Sequence, residues 1–216
     1  MILKSFGCSF IYGNELSDCT TKFSQRTWPA LYAKHHGLDY QCHARAGTGN
    51  LAILEQLLNQ IANPEPALFV VNWTWIDRFD YNNRENNNWK SILPNHTDMS
   101  AQYYYRNFHS QYRDKFTTLN HIKLAIDALQ QRNSAFVMTY MDDLMLDQRW
   151  HTTPAIIELQ EYIRPYMTTF DGLNFQQWSK KNGHPITSIG HPLEAAHAAA
   201  GELMIKVLDT QNTNDR

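Results

Sequence analysis

The chain has 216 residues, 43% of them hydrophobic and 19% charged, with a formal net charge of -2. That is enough chain to bury one sizeable core, and no shift in composition marks a second unit, so residues 1–216 read as a single domain. The slightly acidic balance gives no electrostatic reason to bind nucleic acid or an anionic membrane. In chain order, an apolar strand at 2–7 ("ILKSFG") is followed by a helix near 28–36, opened by Trp28-Pro29. A weaker strand is expected near 39–43, then a helix at 50–62 ("NLAILEQLLNQIA") and a strand at 67–73 ("ALFVVNW"). A long helical period at 113–132 precedes a strand at 134–140 ("SAFVMTY"), with a possible fifth strand near 165–170 and a last helix in "PLEAAHAAAGELMIKVLDT".

The runs at 67–73 and 134–140 are continuously apolar rather than alternating, as strands buried on both faces are. Strands alternating with helices then imply an α/β fold, a three-layer α/β/α sandwich with a central parallel sheet. Residues 74–112 break the rhythm, being rich in asparagine and aromatics without a clean period, and read as an insertion after the 67–73 strand. Within it "YNNRENNN" at 81–88 is the most biased stretch, a solvated loop. Insertions of that length in a compact domain are usually functional loops, and the ring content argues against plain disorder.

Three cysteines, Cys8, Cys19 and Cys42, make an odd set that fits neither a zinc ribbon nor a disulfide framework, so reduced thiols in a cytoplasmic setting are expected. The start "MILKSFG" lacks the apolar stretch of about 7–15 residues of a signal peptide. No run approaches the roughly 18 apolar residues of a membrane span. The sequons at Asn72 and Asn95 are therefore read as chance matches.

Ligands of open α/β sheets bind beyond the carboxyl ends of the strands, which directs attention to Gly7-Cys8-Ser9, "ARAGTGN" at 44–50, "NWTWIDR" at 72–78 and "GHPLEAAH" at 190–197. These stretches together resemble the blocks of the SGNH or GDSL-type hydrolases, which cut esters with a serine on the first strand-to-helix turn. "GCSFIYG" at 7–13 is similar to that family's Gly-Asp-Ser block, with Cys8 where aspartate is common. "AGTGN" matches the glycine block through Gly47, with Gly49 the alternative. "NWTW" puts Asn72, Thr74 and Trp75 at the glycine, asparagine and aspartate of a Gly-x-Asn-Asp block, and "SIGHP" puts His191 at the histidine of Asp-x-x-His-Pro with Ser188 at the aspartate.

The resemblance implies a flavodoxin-like SGNH sandwich, no cofactor and no metal, and hydrolysis of a small acyl ester, an acetyl group on a carbohydrate. It gives Ser9 as nucleophile and His191 as base, with Gly47 and Thr74 at the oxyanion and Trp75 and Trp89 against substrate. The usual acid is missing, so a Ser-His dyad is expected, its imidazole oriented by Ser188 or a backbone carbonyl. Asp171 and Glu194 are the acids that could overturn this. A serine hydroxyl needs a base within about 2.6–3.2 Å, and losing an oxyanion donor typically costs about 10²–10³ in rate. The partner is a small-molecule or glycan ester, with oligomeric state left open. A weakly catalytic ligand-binding relative and an acyltransferase using the same serine remain as alternatives.

Three residue readings compete with chemistry. Ser9 could be an N-cap. His197, six residues from His191, has the wrong spacing for a helical ligand pair. "YMDDLM" at 140–145 copies a polymerase carboxylate motif but lacks a basic groove and a hairpin, so Asp142 and Asp143 read as a loop on the cleft rim.

Overall fold

A computed structural model describes residues 1–63, 65–85 and 88–214. Strands β1 (Ile2–Phe6), β2 (Asp39–Cys42) and β3 (Ala67–Trp73) and the later β6 (Ala135–Tyr140) form one parallel sheet in the order β2-β1-β3-β6. Ile2 aligns with Asp39 on one side and Ala67 on the other, and Leu68 with Ala135, so the central strands share one register. Every residue of β1 and β3 is buried. Side chains alternate across a strand, and β3 divides accordingly. Phe69, Val71 and Trp73 join one core with Leu57, Leu119, Ile122 and Ile126, while Leu68 and Val70 join a second with Leu3, Trp28, Ala200 and Met204.

Those two cores are the interfaces of a three-layer sandwich. Helices α3 (Asn50–Ile61) and α5 (Gln111–Gln131), after α4 (Met99–Asn107), lie on one face with α6 (Pro154–Ile163) against α5. On the other face α2 (Trp28–His35) packs against α8 (Glu194–Asn214), beside the short α7 (Phe175–Lys181) and the single-turn α1 (Ser9–Tyr12). Burial of the second core fixes His197, which is 1% exposed and accepts from the Trp28 N–H at 3.2 Å through Nδ1. Burial pushes its pKa down to about 3. The folded value lies below the unfolded one, so this contribution to stability is complete above pH 6.5 and lost as pH falls toward 3. Stability at pH 5 should be about 2 kcal/mol below that at pH 7 on this account alone. Chemical denaturation at the two pH values measures it, and His197→Asn should flatten the difference.

The possible fifth strand near 165–170 is reduced to one parallel bridge, Met138 to Met167, with the Thr168 N–H donating to Met138 O at 2.7 Å. Just beyond it the chain reverses at Asp171 (φ 49°) and Gly172 (φ 80°), closed by the Phe170–Leu173 bridge, and pairing ends. The insertion is built rather than irregular. It forms an antiparallel hairpin of β4 (Phe79–Asn83) and β5 (Asn88–Ile92) followed by α4, joined by a small core of Ile92, Ala101 and Tyr104. Asn86 and Asn87, in the asparagine-rich stretch, lie outside the described residues.

Asp142 and Asp143 tie loops together. Asp142 accepts from the Ile76 N–H at 3.1 Å and the Leu144 N–H at 3.0 Å, tying the loop after β6 to the loop after β3. Asp143 accepts from the side chains of Asn174 and Gln177 at the start of α7. Among the described residues no helix is long and apolar enough to cross a membrane.

Candidate active site

The turn after β1 depends on its two glycines. At Gly7, φ is 151°, and an added β-carbon would fall 2.9 Å from Ile11 Cγ1 and 3.0 Å from the Asn72 carbonyl oxygen. Glycine lets the chain leave the strand pressed against β3. Ser9 then opens α1, which is closed after one turn by Gly13 in the left-handed region (φ 74°), its N–H donating to Ser9 O at 2.8 Å. A β-carbon there would meet Ser24 Cβ at 2.5 Å. The thiol of Cys8 is fully buried in the apolar core with Phe10 and Ile11. Ser9 is therefore held at the strand end with its backbone fixed on both sides.

His191 arrives on a second tight turn. Thr187 closes it twice: its N–H donates to His191 O at 2.8 Å, and its Oγ1 accepts from the His191 N–H at 3.0 Å, around Gly190 at φ 89°. The result places His191 Nε2 2.9 Å from Ser9 Oγ, although 182 positions separate them in sequence. The ring of Phe10 meets the imidazole edge-on, centroids 4.9 Å apart, and fixes its plane. Burial lowers the pKa of His191 below the ordinary histidine value; Glu15 opposes this and Arg78 adds to it.

The orienting group differs from expectation. His191 Nδ1 is buried without a hydrogen-bond partner among the described residues, so neither Ser188 nor a backbone carbonyl holds it. Ser188 sits exposed on the turn, because the neighbouring Thr187 makes the closing bonds instead. Both named acids are engaged elsewhere: Asp171 accepts from Trp178 Nε1 at 2.9 Å, and Glu194 accepts from the Ser17 N–H at 2.7 Å. The carboxylate beside the ring belongs to Glu15, with Oε1 3.7 Å from Nδ1. That is ion-pair range and outside hydrogen-bond range.

The two glycines of "AGTGN" are distinguished by their surroundings. Gly49 donates its N–H to Asp80 Oδ1 at 3.0 Å, and a β-carbon on it would strike that carboxylate at 2.6 Å. Its donor is taken. Gly47, at φ 75°, faces open space with nothing within 4 Å of an added β-carbon. Thr74 is fully buried rather than at an open surface. Asn50 binds its backbone on both sides, accepting from the Thr74 N–H at 2.8 Å and donating to Thr74 O at 3.1 Å, and leaves Oγ1 without a partner. Asn72 donates to Thr139 Oγ1 at 2.7 Å from inside the sheet.

The two tryptophans occupy different places. Trp75 packs on Phe10 (centroids 5.7 Å) beneath the Arg78 guanidinium, 4.7 Å from its ring. Arg78 in turn donates to Thr48 O at 2.8 Å, tying this stack to the Gly47 loop. Trp89 stands on the far side of that loop, lining a cavity of about 500 Å³ with Arg45, Gly47, Tyr81 and His96. The hairpin is clamped to the same rim by Asp80, which also accepts from the Ala52 N–H at 2.9 Å and from Ser91 Oγ. Sequence reasoning missed Glu15, Asn50, Arg78 and Asp80. Only Asn50 carried a local signal, beside the glycine that starts α3.

No family model matches the sequence, and no curated protein matches it significantly. Solved structures do resemble the fold, which is that of the SGNH-type hydrolases. The esterase EstA from Pseudoalteromonas sp. superimposes with a TM-score of 0.54 at 11% identity, covering 98% of each chain. The acetyl xylan esterase Est2A from the rumen bacterium Butyrivibrio proteoclasticus gives 0.53 at 13% identity, over 98% of this chain and 64% of its own. A family two carbohydrate esterase from Clostridium thermocellum gives 0.56 at 11% identity, over 98% and 64%. The chain thus spans just under two thirds of the length of these carbohydrate esterases.

Proposed function

We propose that the protein is a serine esterase that removes a small acyl group, most readily acetyl, from a carbohydrate ester. The observation that carries this reading is the 2.9 Å contact between Ser9 Oγ and His191 Nε2 on two rigid turns at the carboxyl edge of the sheet. In the first step Ser9 Oγ attacks the ester carbonyl while His191 Nε2 takes its proton. The collapsing intermediate expels the alcohol, which leaves with that proton, and water attacks the acyl-serine by the same route. The oxyanion is received by the N–H groups of Ser9 and Gly47, the buried Thr74 hydroxyl being out of reach of the cleft.

The acetyl and sugar assignment rests on the names of the fold's neighbours and on the aromatic lining beside Gly47, where Trp89 and Tyr81 offer flat apolar faces. Trp75 supports Phe10 and Arg78 and stands next to the reacting pair. A cytoplasmic setting is supported by three cysteines that are all free. Assays with aryl esters of increasing chain length and with acetylated xylo-oligosaccharides test the reading. Acetyl should be preferred, and no turnover of any ester would contradict it.

The pH profile follows from His191. Its neutral form is the base, and burial favours that form, so the acid limb of kcat/KM should have its midpoint below about 6.5. Activity should be level through neutral pH. A midpoint above 7 would mean that the base is not this histidine.

A further inference from the structure

We propose that Glu15 is the positioning acid of His191, a carboxylate supplied from the loop after α1 in place of the one missing three residues before the histidine. This rests on reading Ser9 and His191 as the hydrolytic pair. Glu15 Oε1 lies 3.7 Å from Nδ1, and Nδ1 is a buried nitrogen with no other partner. A movement of about 1 Å by a flexible glutamate side chain brings the two into hydrogen-bond range, and catalytic hydrogen bonds commonly tighten when substrate binds. With that bond made, Nδ1 keeps the proton and Nε2 presents its lone pair to Ser9. The imidazolium formed during attack then faces a negative charge.

The rest of the loop is built to hold Glu15 there. Gly13 turns the chain back immediately after Ser9, and Asn14 Nδ2 donates to Glu15 Oε1 at 3.3 Å. Two residues on, the Ser17 N–H donates to Glu194 at 2.7 Å, and Arg26 donates to Ser17 Oγ at 3.0 Å while lying 4.0 Å from the same Glu194. Glu194 starts the helix that follows His191, so one anchor ties the loop of the acid to the turn of the base. The carboxylate at the familiar end of the chain serves the loop, and the loop brings its own.

The groups that act on the imidazole come from four elements. Glu15 from the loop after α1 favours the protonated ring, and Arg78 from the loop after β3 opposes it. His197 and Glu194 lie on α8, where His197 is buried and neutral and Glu194 is taken up by Ser17. Phe10 contributes a ring edge without charge. Removing the Glu15 charge therefore leaves burial and Arg78 acting in one direction.

The test is Glu15→Gln, read by the NMR titration of the His191 ring and by kcat and KM across pH. The titration is expected to move down by about one pH unit. Turnover should fall about 10- to 100-fold with KM little changed, less than the roughly 10⁴ of a buried triad acid because Glu15 is a third exposed and solvent screens the pair. A lower kcat with the titration unmoved would mean a structural loop and overturn the proposal, as would wild-type values for both. The same titration in Ser9→Ala needs no turnover. If the esterase reading fails there, the ring's response to Glu15→Gln still decides whether Glu15 holds His191.

Discussion

Ser9→Ala is expected to reduce hydrolysis of an aryl acetate by at least about 10⁴-fold, since removal of a nucleophile leaves only the residual catalysis of the oxyanion donors and binding. The melting temperature should fall by no more than about 4 °C, the equivalent of about 1 kcal/mol for one side-chain hydrogen bond. The asymmetry comes from where the hydroxyl sits. Its partner is His191 at the cleft, whereas the turn that carries it is held by Gly7, Gly13 and backbone bonds that alanine leaves intact. Turnover at the wild-type rate with an unchanged Tm would place the chemistry elsewhere.

Asp80→Ala should be the most destabilising change at the cleft rim. The carboxylate is buried, and it accepts from the Gly49 and Ala52 N–H groups at the start of α3 and from Ser91 in the facing strand of the hairpin. Burial raises its pKa despite those bonds. Alanine leaves the Ala52 N–H and the Ser91 hydroxyl without their acceptor, while the Gly49 N–H keeps Ser91 Oγ at 3.1 Å, at about 1–3 kcal/mol for each unsatisfied buried group. Either can find water in part, so a loss of about 3–5 kcal/mol is expected, or roughly 6–20 °C in Tm. KM for the ester should rise as well, because the hairpin that carries Trp89 loses its clamp to the Gly47 loop. A Tm within about 2 °C of wild type would show that the clamp is not structural.

The elements that were legible in the sequence are those with a strong single period. β3 and β6 read as buried parallel strands because both faces are covered, and α3 and α5 because their apolar positions repeat at helical spacing. The insertion hid its hairpin because its strands are short and half-buried, so alternation never becomes continuous. Helices α6 and α7 also went unread, although Thr153-Pro154 and the Asn174–Gln177 capping box marked their starts. In α6 the apolar stripe Ile156, Leu159 and Ile163 also stands at helical spacing, and in the seven residues of α7 the run is too short to show one.

The candidate site divides along the same line. Ser9, His191 and Gly47 were visible because each lies in a short block whose order along the chain survives. Glu15 was not, since its relation to His191 exists only in space, the two residues lying near opposite ends of the chain. Asp80 and Arg78 were hidden for the same reason. Each acts on backbone groups of the Gly47 loop and α3 that no spacing in the insertion foretells.

The most direct measurement is covalent labelling by a fluorophosphonate, followed by peptide mapping. The account predicts one stable phosphonyl adduct on Ser9, formed slowly or not at all in His191→Ala, because only an activated serine attacks such a centre at a useful rate. An adduct on any other serine, or a wild-type protein that stays unlabelled while a known serine esterase reacts under the same conditions, would contradict it.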